Sequence, residues 1–194
     1  MTRIFLQRTF IIFVLLFVPT ISYGIEIISD PIVEGKSIAG LKIGDTEDKI
    51  PSVLYKRSFK LYYTYTPEAK EALMAFTNLI EEGGEESGLI IDVVSRGGTV
   101  VNIAVVSVPM KGKHFYSGKT KKGFSFGDSF QVVEKLYGKP HRKLHMTYWY
   151  KNEGIIFQAG GEDVVKPNVI IVMPPGSEIT KSLKYRYDLT EIGR

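Results

Sequence analysis

Residues 40–46 read Gly-Leu-Lys-Ile-Gly-Asp-Thr and residues 123–129 read Gly-Phe-Ser-Phe-Gly-Asp-Ser, so one pattern occurs twice in the chain. In each copy two apolar side chains flank a polar one, which places both on the same side of an extended segment. The glycines permit turns with positive φ, and Asp followed by Ser or Thr is typical of a helix start. The pattern predicts a duplicated strand–turn–helix unit, with Asp45 and Asp128 as helix-start residues and the second helix at about 129–137.

Each copy ends in a similar pair of apolar segments. Residues 87–94 and 100–108 flank one Gly-Gly pair, and residues 154–159 and 169–173 flank another. These pairs predict two β-hairpins closed by Gly-Gly loops. The second segment of each pair is β-branched and almost continuously apolar, so we expect it at the centre of a sheet.

The first copy is longer than the second, and the additional residues fall near 66–82. Pro67 suits the first turn of a helix. Leu73, Phe76 and Ile80 follow at helical spacing, so the segment predicts one extra helix inside the first copy.

The predicted fold class is α+β: two diverged helix-plus-antiparallel-meander repeats form a mostly antiparallel sheet with helices on one face. Further strands are expected at 59–65 and 144–150, and Ser177 is expected to cap a helix in the C-terminal tail. The predicted divisions are a signal peptide at 1–24, an extended lead-in at 25–37, repeat unit 1 with its inserted helix at 38–110, a basic connector at 111–121, repeat unit 2 at 122–175 and a tail at 176–194.

The second unit combines a Gly-apolar-x-apolar-Gly-x-Ser/Thr opening, a short helix ending in Gly-x-Pro, and a three-stranded meander containing Tyr-x-Tyr and Gly-Ile-x-Phe. The residues that form this pattern are Gly123, Gly127, Ser129, Gly138, Pro140, Tyr148, Tyr150, Gly154, Ile155 and Phe157. The unit resembles the BamE/SmpA-like fold, and two tandem units are similar to the β-lactamase-inhibitor-protein architecture. The resemblance implies a bacterial envelope protein that binds other proteins, as an assembly factor or an inhibitor. The chain has no cysteine, so it lacks both the lipoprotein cysteine of the assembly factors and the disulfides of the inhibitor.

The N-terminus has the three parts of a secretory signal. Arg3 and Arg8 form a positive region, residues 10–18 form an unbroken apolar run, Pro19 ends the run, and small residues precede a cut after Gly24. The run is about half the roughly 20 residues that a membrane-spanning helix needs. We therefore expect a periplasmic or secreted protein with no transmembrane span once the signal is removed.

The composition argues against several classes of function. Without cysteine the chain has no thiol catalysis and no thiolate metal site. Removal of the signal leaves 23 basic and 21 acidic residues, a balance that argues against nucleic-acid binding. No serine-nucleophile elbow or phosphate-binding loop occurs. His141 and His145 would lie ~13 Å apart on a strand, too far to share a metal ion. We predict no catalytic residue, metal or cofactor.

Aromatic residues are the candidate binding residues, because exposed Tyr and Trp are enriched at protein interfaces. Tyr63 and Tyr65 fall in one predicted strand. Tyr148, Trp149 and Tyr150 fall in another, where Trp149 faces opposite to the two tyrosines. One face of that strand must be core, and the other is either exposed or covered.

The basic connector supplies a second candidate surface at Lys119, Lys121 and, just beyond it, Lys122. These lysines either make weak contact with an anionic surface or are simply solvated. The predicted function is an exported soluble protein-binding or scaffold module of the bacterial cell envelope, with an envelope or secreted protein as its partner. The alternative is an envelope enzyme or a carbohydrate-binding protein that uses the aromatic-rich face.

Overall fold

The computed structural model describes a mixed α+β protein in which antiparallel sheet predominates, as predicted. The predicted signal peptide at 1–24, with its cut after Gly24, lies outside the described residues. Those are residues 26–68, 71–160 and 165–189, without the side chains of residues 63 and 65–68.

Eleven strands and three helices are found in the described part of the chain. The strands are β1 (Ser37–Ile38), β2 (Leu41–Lys42), β3 (Lys60–Glu68), β4 (Glu71–Thr77), β5 (Ile80–Glu82), β6 (Glu85–Arg96), β7 (Thr99–Val108), β8 (Arg142–Leu144), β9 (Thr147–Tyr150), β10 (Ile155–Gln158) and β11 (Val169–Val172). The helices are α1 (Lys49–Tyr55), α2 (Phe130–Tyr137) and α3 (Lys181–Arg186).

Nine strands form one antiparallel sheet in the order β3-β4-β6-β7-β11-β10-β9-β8, with β5 paired to part of β6. Helix α1 precedes the meander β3-β4-β6-β7, and α2 precedes the meander β8-β9-β10-β11. The two meanders meet at their last strands, where Val105 of β7 lies opposite Ile170 of β11. Both last strands are therefore central in the sheet, which confirms the prediction made from their continuous apolar pattern.

The turn at Gly97-Gly98 closes the β6–β7 hairpin, as predicted. Arg96 pairs with Thr99 across the turn, and the two glycines have φ values of 59° and 77°. A two-residue turn with positive φ at both positions matches the twist of the flanking strands, and glycine adopts it without strain. In the second predicted hairpin β10 and β11 pair antiparallel, while residues 161–164 of its loop lie outside the described residues.

The two glycine-rich loops close in the same way. The Lys42 amide donates to the Asp45 carboxylate at 3.0 Å, and the Ser125 amide donates to the Asp128 carboxylate at 2.8 Å. The prediction that these carboxylates start the helices is wrong in detail, because they close the turn before each helix. The N-cap residue of α2 is Ser129, and its side chain makes no capping hydrogen bond.

Helices α1 and α2 pack on one side of the sheet, called the first face. Ile50 and Leu54 are the buried residues of α1. Val133 and Tyr137 of α2 are also buried, and they follow Gly123 at the same distances along the chain as Ile50 and Leu54 follow Gly40. All four belong to one hydrophobic cluster with first-face residues such as Ile103.

The extra helix predicted at 66–82 is wrong, because this segment forms the end of β3, all of β4 and β5. Leu73, Met74, Ala75 and Phe76 are all buried. The reason is that β4 lies inside the sheet with both faces covered. Leu73 packs on one face and Phe76 on the other, so the apolar run imitates helical spacing.

Two other predicted elements differ from the structure. The strand expected at 144–150 is split by a turn at His145, whose φ is +39°, into β8 and β9, so the second meander has four strands rather than three. The tail helix begins at Lys181 after the N-cap Thr180, and not at Ser177. Since Leu183 of α3 packs on the second face, opposite α1 and α2, the expectation of helices on one face is also wrong.

The lead-in and the basic connector pair with each other. Ile28 lies beside Tyr116 and Ile32 beside Thr120 in parallel bridges. The buried Tyr116 hydroxyl accepts from the Ala39 amide at 2.9 Å and donates to the Asp30 carbonyl at 2.9 Å. Burial raises the pKa of this hydroxyl, so it keeps its proton and remains a donor. The connector is therefore attached to the fold rather than a solvated linker.

Replacing Tyr116 by Phe should destabilise the protein by about 1–3 kcal/mol, because the buried Ala39 amide loses its partner. The shift of the urea midpoint at constant m-value measures this loss. Tyr185→Phe is the matched control, since Tyr185 is 83% exposed, and its effect should stay within about 0.5 kcal/mol. Equal stability of the two variants would show that the Tyr116 hydroxyl does not hold the lead-in.

Candidate functional site

The predicted aromatic strand lies inside the fold. Tyr148 and Tyr150 of β9 are buried on the first face, where Tyr148 packs on Phe130 with ring centroids 4.4 Å apart. The Tyr150 hydroxyl donates to the Gly138 carbonyl at 2.9 Å, and burial raises the pKa of this hydroxyl. Both tyrosines therefore connect α2 to the sheet as core residues.

Trp149 points to the second face, opposite to the two tyrosines, as predicted. It is 3% exposed and belongs to the same cluster as Leu183 of α3. The Lys151 ammonium lies 5.4 Å from its ring centroid. Both faces of β9 are thus covered. The His141 ring centroid lies 5.6 Å from that of Trp149, so nearby residues as well as the apolar cluster that includes Leu183 cover this face, and the alternation along β9 records neither. The aromatic residues of β9 therefore supply no open face to a ligand.

The lysines of the second candidate surface are exposed. Lys121 and Lys122 form the turn between Thr120 and Gly123, and Lys119 precedes it. The Lys122 ammonium lies 3.8 Å from the Glu153 carboxylate and 4.4 Å from the ring centroid of Tyr137.

Two exposed aromatic residues lie near the edge of the sheet formed by β3, one on β3 and one at the end of α1, whereas a third, Tyr185, is on α3. Tyr62 is 72% exposed, Tyr55 is 52% exposed and Leu61 is 44% exposed. Tyr63 and Tyr65 also lie on β3, where their backbones pair with Ala75 and Leu73 of β4. We call the backbone of β3, with the side chains of Tyr55, Leu61 and Tyr62, the β3 edge.

A bulge directs Tyr62 outward. Leu61 pairs with Phe76 and Tyr63 pairs with Ala75, so one more residue lies on β3 than on β4 between these pairs. Bulges of this kind bend a strand and re-aim a side chain. Tyr62 is the additional residue of this bulge and stays 72% exposed.

The opposite edge, β8, has a different character. It contains three residues, and the Lys143 ammonium binds the Glu134 carboxylate at 2.8 Å and lies 4.4 Å from the Tyr148 ring centroid. Short, charged edge strands prevent pairing with another chain. The β3 edge is longer, with nine residues, and exposes Leu61 and Tyr62, so its protection is limited to Lys60, Pro67 and the bulge at Tyr62.

A groove of about 920 Å³ begins beside β3. Phe59, Leu79 and Ile90 give it apolar walls. Lys60 and Arg186 add positive charge, and Glu26 and Glu86 add negative charge. Its volume is within the range of pockets that hold a ligand or a peptide side chain.

The described residues also include one serine–histidine pair. The Ser107 hydroxyl lies 2.9 Å from Nδ1 of His114, a distance suited to a nucleophile and its base. Ser107 is completely buried in β7, however, so a substrate carbonyl has no access to it. The pair attaches the connector to the sheet.

No group of three His, Cys, Asp or Glu that could hold a metal ion is found among the described residues. Within the same residues, none of the helices is sufficiently long and apolar to cross a membrane. Comparison with protein-family models, curated proteins and solved structures gives no match to this chain. The resemblance to the BamE/SmpA-like fold therefore stays a prediction.

Trp149 is the single tryptophan of the chain, so its fluorescence reports on the second face. Because it is buried, acrylamide should quench the native protein weakly, and urea unfolding should raise the quenching to that of a free tryptophan amide. Strong quenching under native conditions would show that the second face is open in solution.

Proposed function

We propose that the chain is an exported protein-binding module of the bacterial cell envelope, and that it binds an extended segment of an envelope or secreted protein along the β3 edge. The partner segment adds a strand to the sheet, so that main-chain hydrogen bonds supply affinity. Alternate side chains of the segment contact Tyr62 and the groove beside it, which supplies specificity.

The difference between the two sheet edges is the observation that carries this proposal. A long edge strand with exposed aromatic side chains is a ready template for pairing. The chain blocks such pairing at β8 with Lys143 and Arg142, and leaves Leu61 and Tyr62 exposed at β3. Tyrosine provides large, rigid contact area at an interface.

We further propose that the two halves of the sheet are diverged copies of one unit. The identical turn hydrogen bonds of Asp45 and Asp128 support this, as does the matched spacing of buried residues in α1 and α2. The strand order also supports it, because two like meanders joined through their last strands give a sheet that reads the same from either edge. The exposed Lys119 and Lys121 would add at most a weak contact with an anionic surface.

Export is tested by the mass of the mature protein. Expressed with its own N-terminus in a bacterial cell, the protein should lose residues 1–24 and begin at Ile25. Leu15→Arg should block export, because it places a charge in the apolar run, and should leave the full-length chain in the cytoplasm. Full-length wild-type protein in the periplasm would contradict the proposed cleavage.

The β3 edge is tested by photocrosslinking in cells. A benzoylphenylalanine in place of Tyr62 should give one discrete crosslinked species, since this side chain lies where the partner binds. The same group in place of Lys143, on the β8 edge, is the matched control and should give none.

Tyr62→Lys should lower the yield of a crosslink placed at Tyr55 by about tenfold, because it gives the β3 edge the charge that protects β8. Urea unfolding should show unchanged stability for this exposed substitution. Equal crosslinking from both edges, or none from Tyr62, would exclude β3 as the binding edge.

A further inference from the structure

The charges of β3 are arranged symmetrically about its middle residue, Thr64. The strand reads Lys-Leu-Tyr-Tyr-Thr-Tyr-Thr-Pro-Glu, so only its first and last residues, Lys60 and Glu68, are charged. They carry opposite charges and stand at equal distances along the strand from Thr64. Reversing the direction of the strand therefore exchanges a positive end for a negative one.

The irregularities of β3 are arranged in the same way. Relative to β4, the strand has one additional residue between Leu61 and Tyr63, and another between Tyr65 and Glu68. The stretch between these two irregularities pairs regularly with β4 and is centred on Thr64. A strand that runs in the reverse direction about Thr64 therefore places each of its irregularities opposite the other one of β3.

A strand with this symmetry is complementary to a second copy of itself. A two-fold axis at an exposed edge sets two copies antiparallel, and two-fold dimers are by far the commonest closed assemblies. With Thr64 on the axis, Lys60 of each copy is opposite Glu68 of the other. Tyr63 is then opposite Tyr65, and Thr64 is opposite its own copy. Opposite charges, two threonines and two aromatic residues are all favourable cross-strand pairs.

The features that protect the β3 edge do not prevent this pairing. Lys60 discourages pairing with a strand that offers its charge no partner, but the second copy offers it a carboxylate. Pro67 has no amide hydrogen, so it removes at most one donor from each copy. Leu61 and Tyr62, which are exposed in the single chain, then lie beside the added strand.

We propose that two copies of the mature chain pair through β3, antiparallel and centred on Thr64, and form one continuous sheet when no partner segment is bound. Such a dimer rests on the proposed function in one respect, which is that β3 accepts an added strand. The second copy covers the β3 edge, and a partner segment has to replace it. Dimerisation therefore weakens the apparent affinity for the partner as the concentration of the chain rises.

Sedimentation equilibrium of the purified mature chain measures this association in the absence of a partner. The wild type should have twice the mass of one chain, and this mass should fall toward that of one chain on dilution. Glu68→Lys should raise the dissociation constant at least about tenfold, because it sets a second lysine opposite Lys60 at both ends of the interface. Exchange of the two charges, Lys60→Glu with Glu68→Lys, should restore the wild-type constant.

Single cysteines test the register, because the chain has none of its own. Facing residues of antiparallel strands have Cα atoms about 5 Å apart, which suits a disulfide, so Thr64→Cys should oxidise rapidly to a covalent dimer. Tyr62→Cys is the matched control on the same strand. Its two copies would lie about 13 Å apart, too far for a disulfide, and it should oxidise at least about tenfold more slowly.

A mixture of two chains controls for the loss of the Tyr62 side chain. Tyr62 of one copy is opposite Thr66 of the other in the proposed register. A mixture of the Tyr62→Cys chain and the Thr66→Cys chain should therefore form a mixed disulfide rapidly, although neither chain does so alone.

Three results would overturn the dimer. They are a wild-type chain that stays monomeric up to about 1 mM, a dissociation constant that Glu68→Lys leaves unchanged, and equal oxidation rates for Thr64→Cys and Tyr62→Cys. If urea unfolding shows that the Glu68→Lys chain does not fold, the two oxidation rates decide alone.

The mass of the species crosslinked through Tyr62 in cells separates this dimer from the proposed function. Twice the mature mass indicates the second copy, and any other mass indicates a partner. A monomeric purified chain that crosslinks to a different protein removes the dimer and retains the proposed function. A purified dimer that gives only the doubled mass in cells retains the dimer and removes the proposed function.

Discussion

The antiparallel pairing of β7 with β11 is the contact on which the other parts of the structure depend. It joins two meanders that otherwise share no strand, and its central residues, such as Ala104, Val105 and Ile170, are completely buried. Backbone amides and carbonyls in such a dry place need partners, and the two strands satisfy one another. Without this pair, α1 and α2 would cover separate small sheets, each with a continuous apolar strand exposed at its edge.

A single continuous sheet has two edges, and α1 and α2 cover only one of its faces. The two edges and the remaining face are each protected in a different way. Lys143 and a short strand protect β8 from pairing, whereas β3 is long and carries Leu61 and Tyr62 in the open. The face opposite α1 and α2 is covered by a segment from the C-terminus. The exposed edge strand therefore lies at the outer side of the first meander, and the segment that covers the second face follows the second meander.

Local signals in the sequence predicted local structure well. Gly97-Gly98 specified its hairpin, and the residues after Ser129 specified α2, because turn and helix propensities act over a few residues. The helix predicted at 66–82 is wrong because a strand buried on both faces carries a run of apolar residues, and such a run also fits helical spacing. The burial of Trp149 could not be predicted for a different reason: its ring lies against His141 and Lys151 and shares an apolar cluster with the distant Leu183, and the alternation along β9 records none of these neighbours. Tyr55 and Leu61 were missed because exposure at a sheet edge depends on strand order.

The two faces of the sheet differ in chemistry, and this difference bears on how each one works. The first face is packed by apolar and aromatic side chains such as Phe157, with few alternatives to its close packing. The second face places Glu71 and Asp92 beneath the C-terminal segment, so directional hydrogen bonds add to the apolar contacts that hold this cover. Apolar burial is non-directional and sums over a large area, whereas a buried carboxylate selects the group that faces it. Both faces therefore bury apolar side chains, and the two carboxylates of the second face fix the position of the C-terminal segment that covers it.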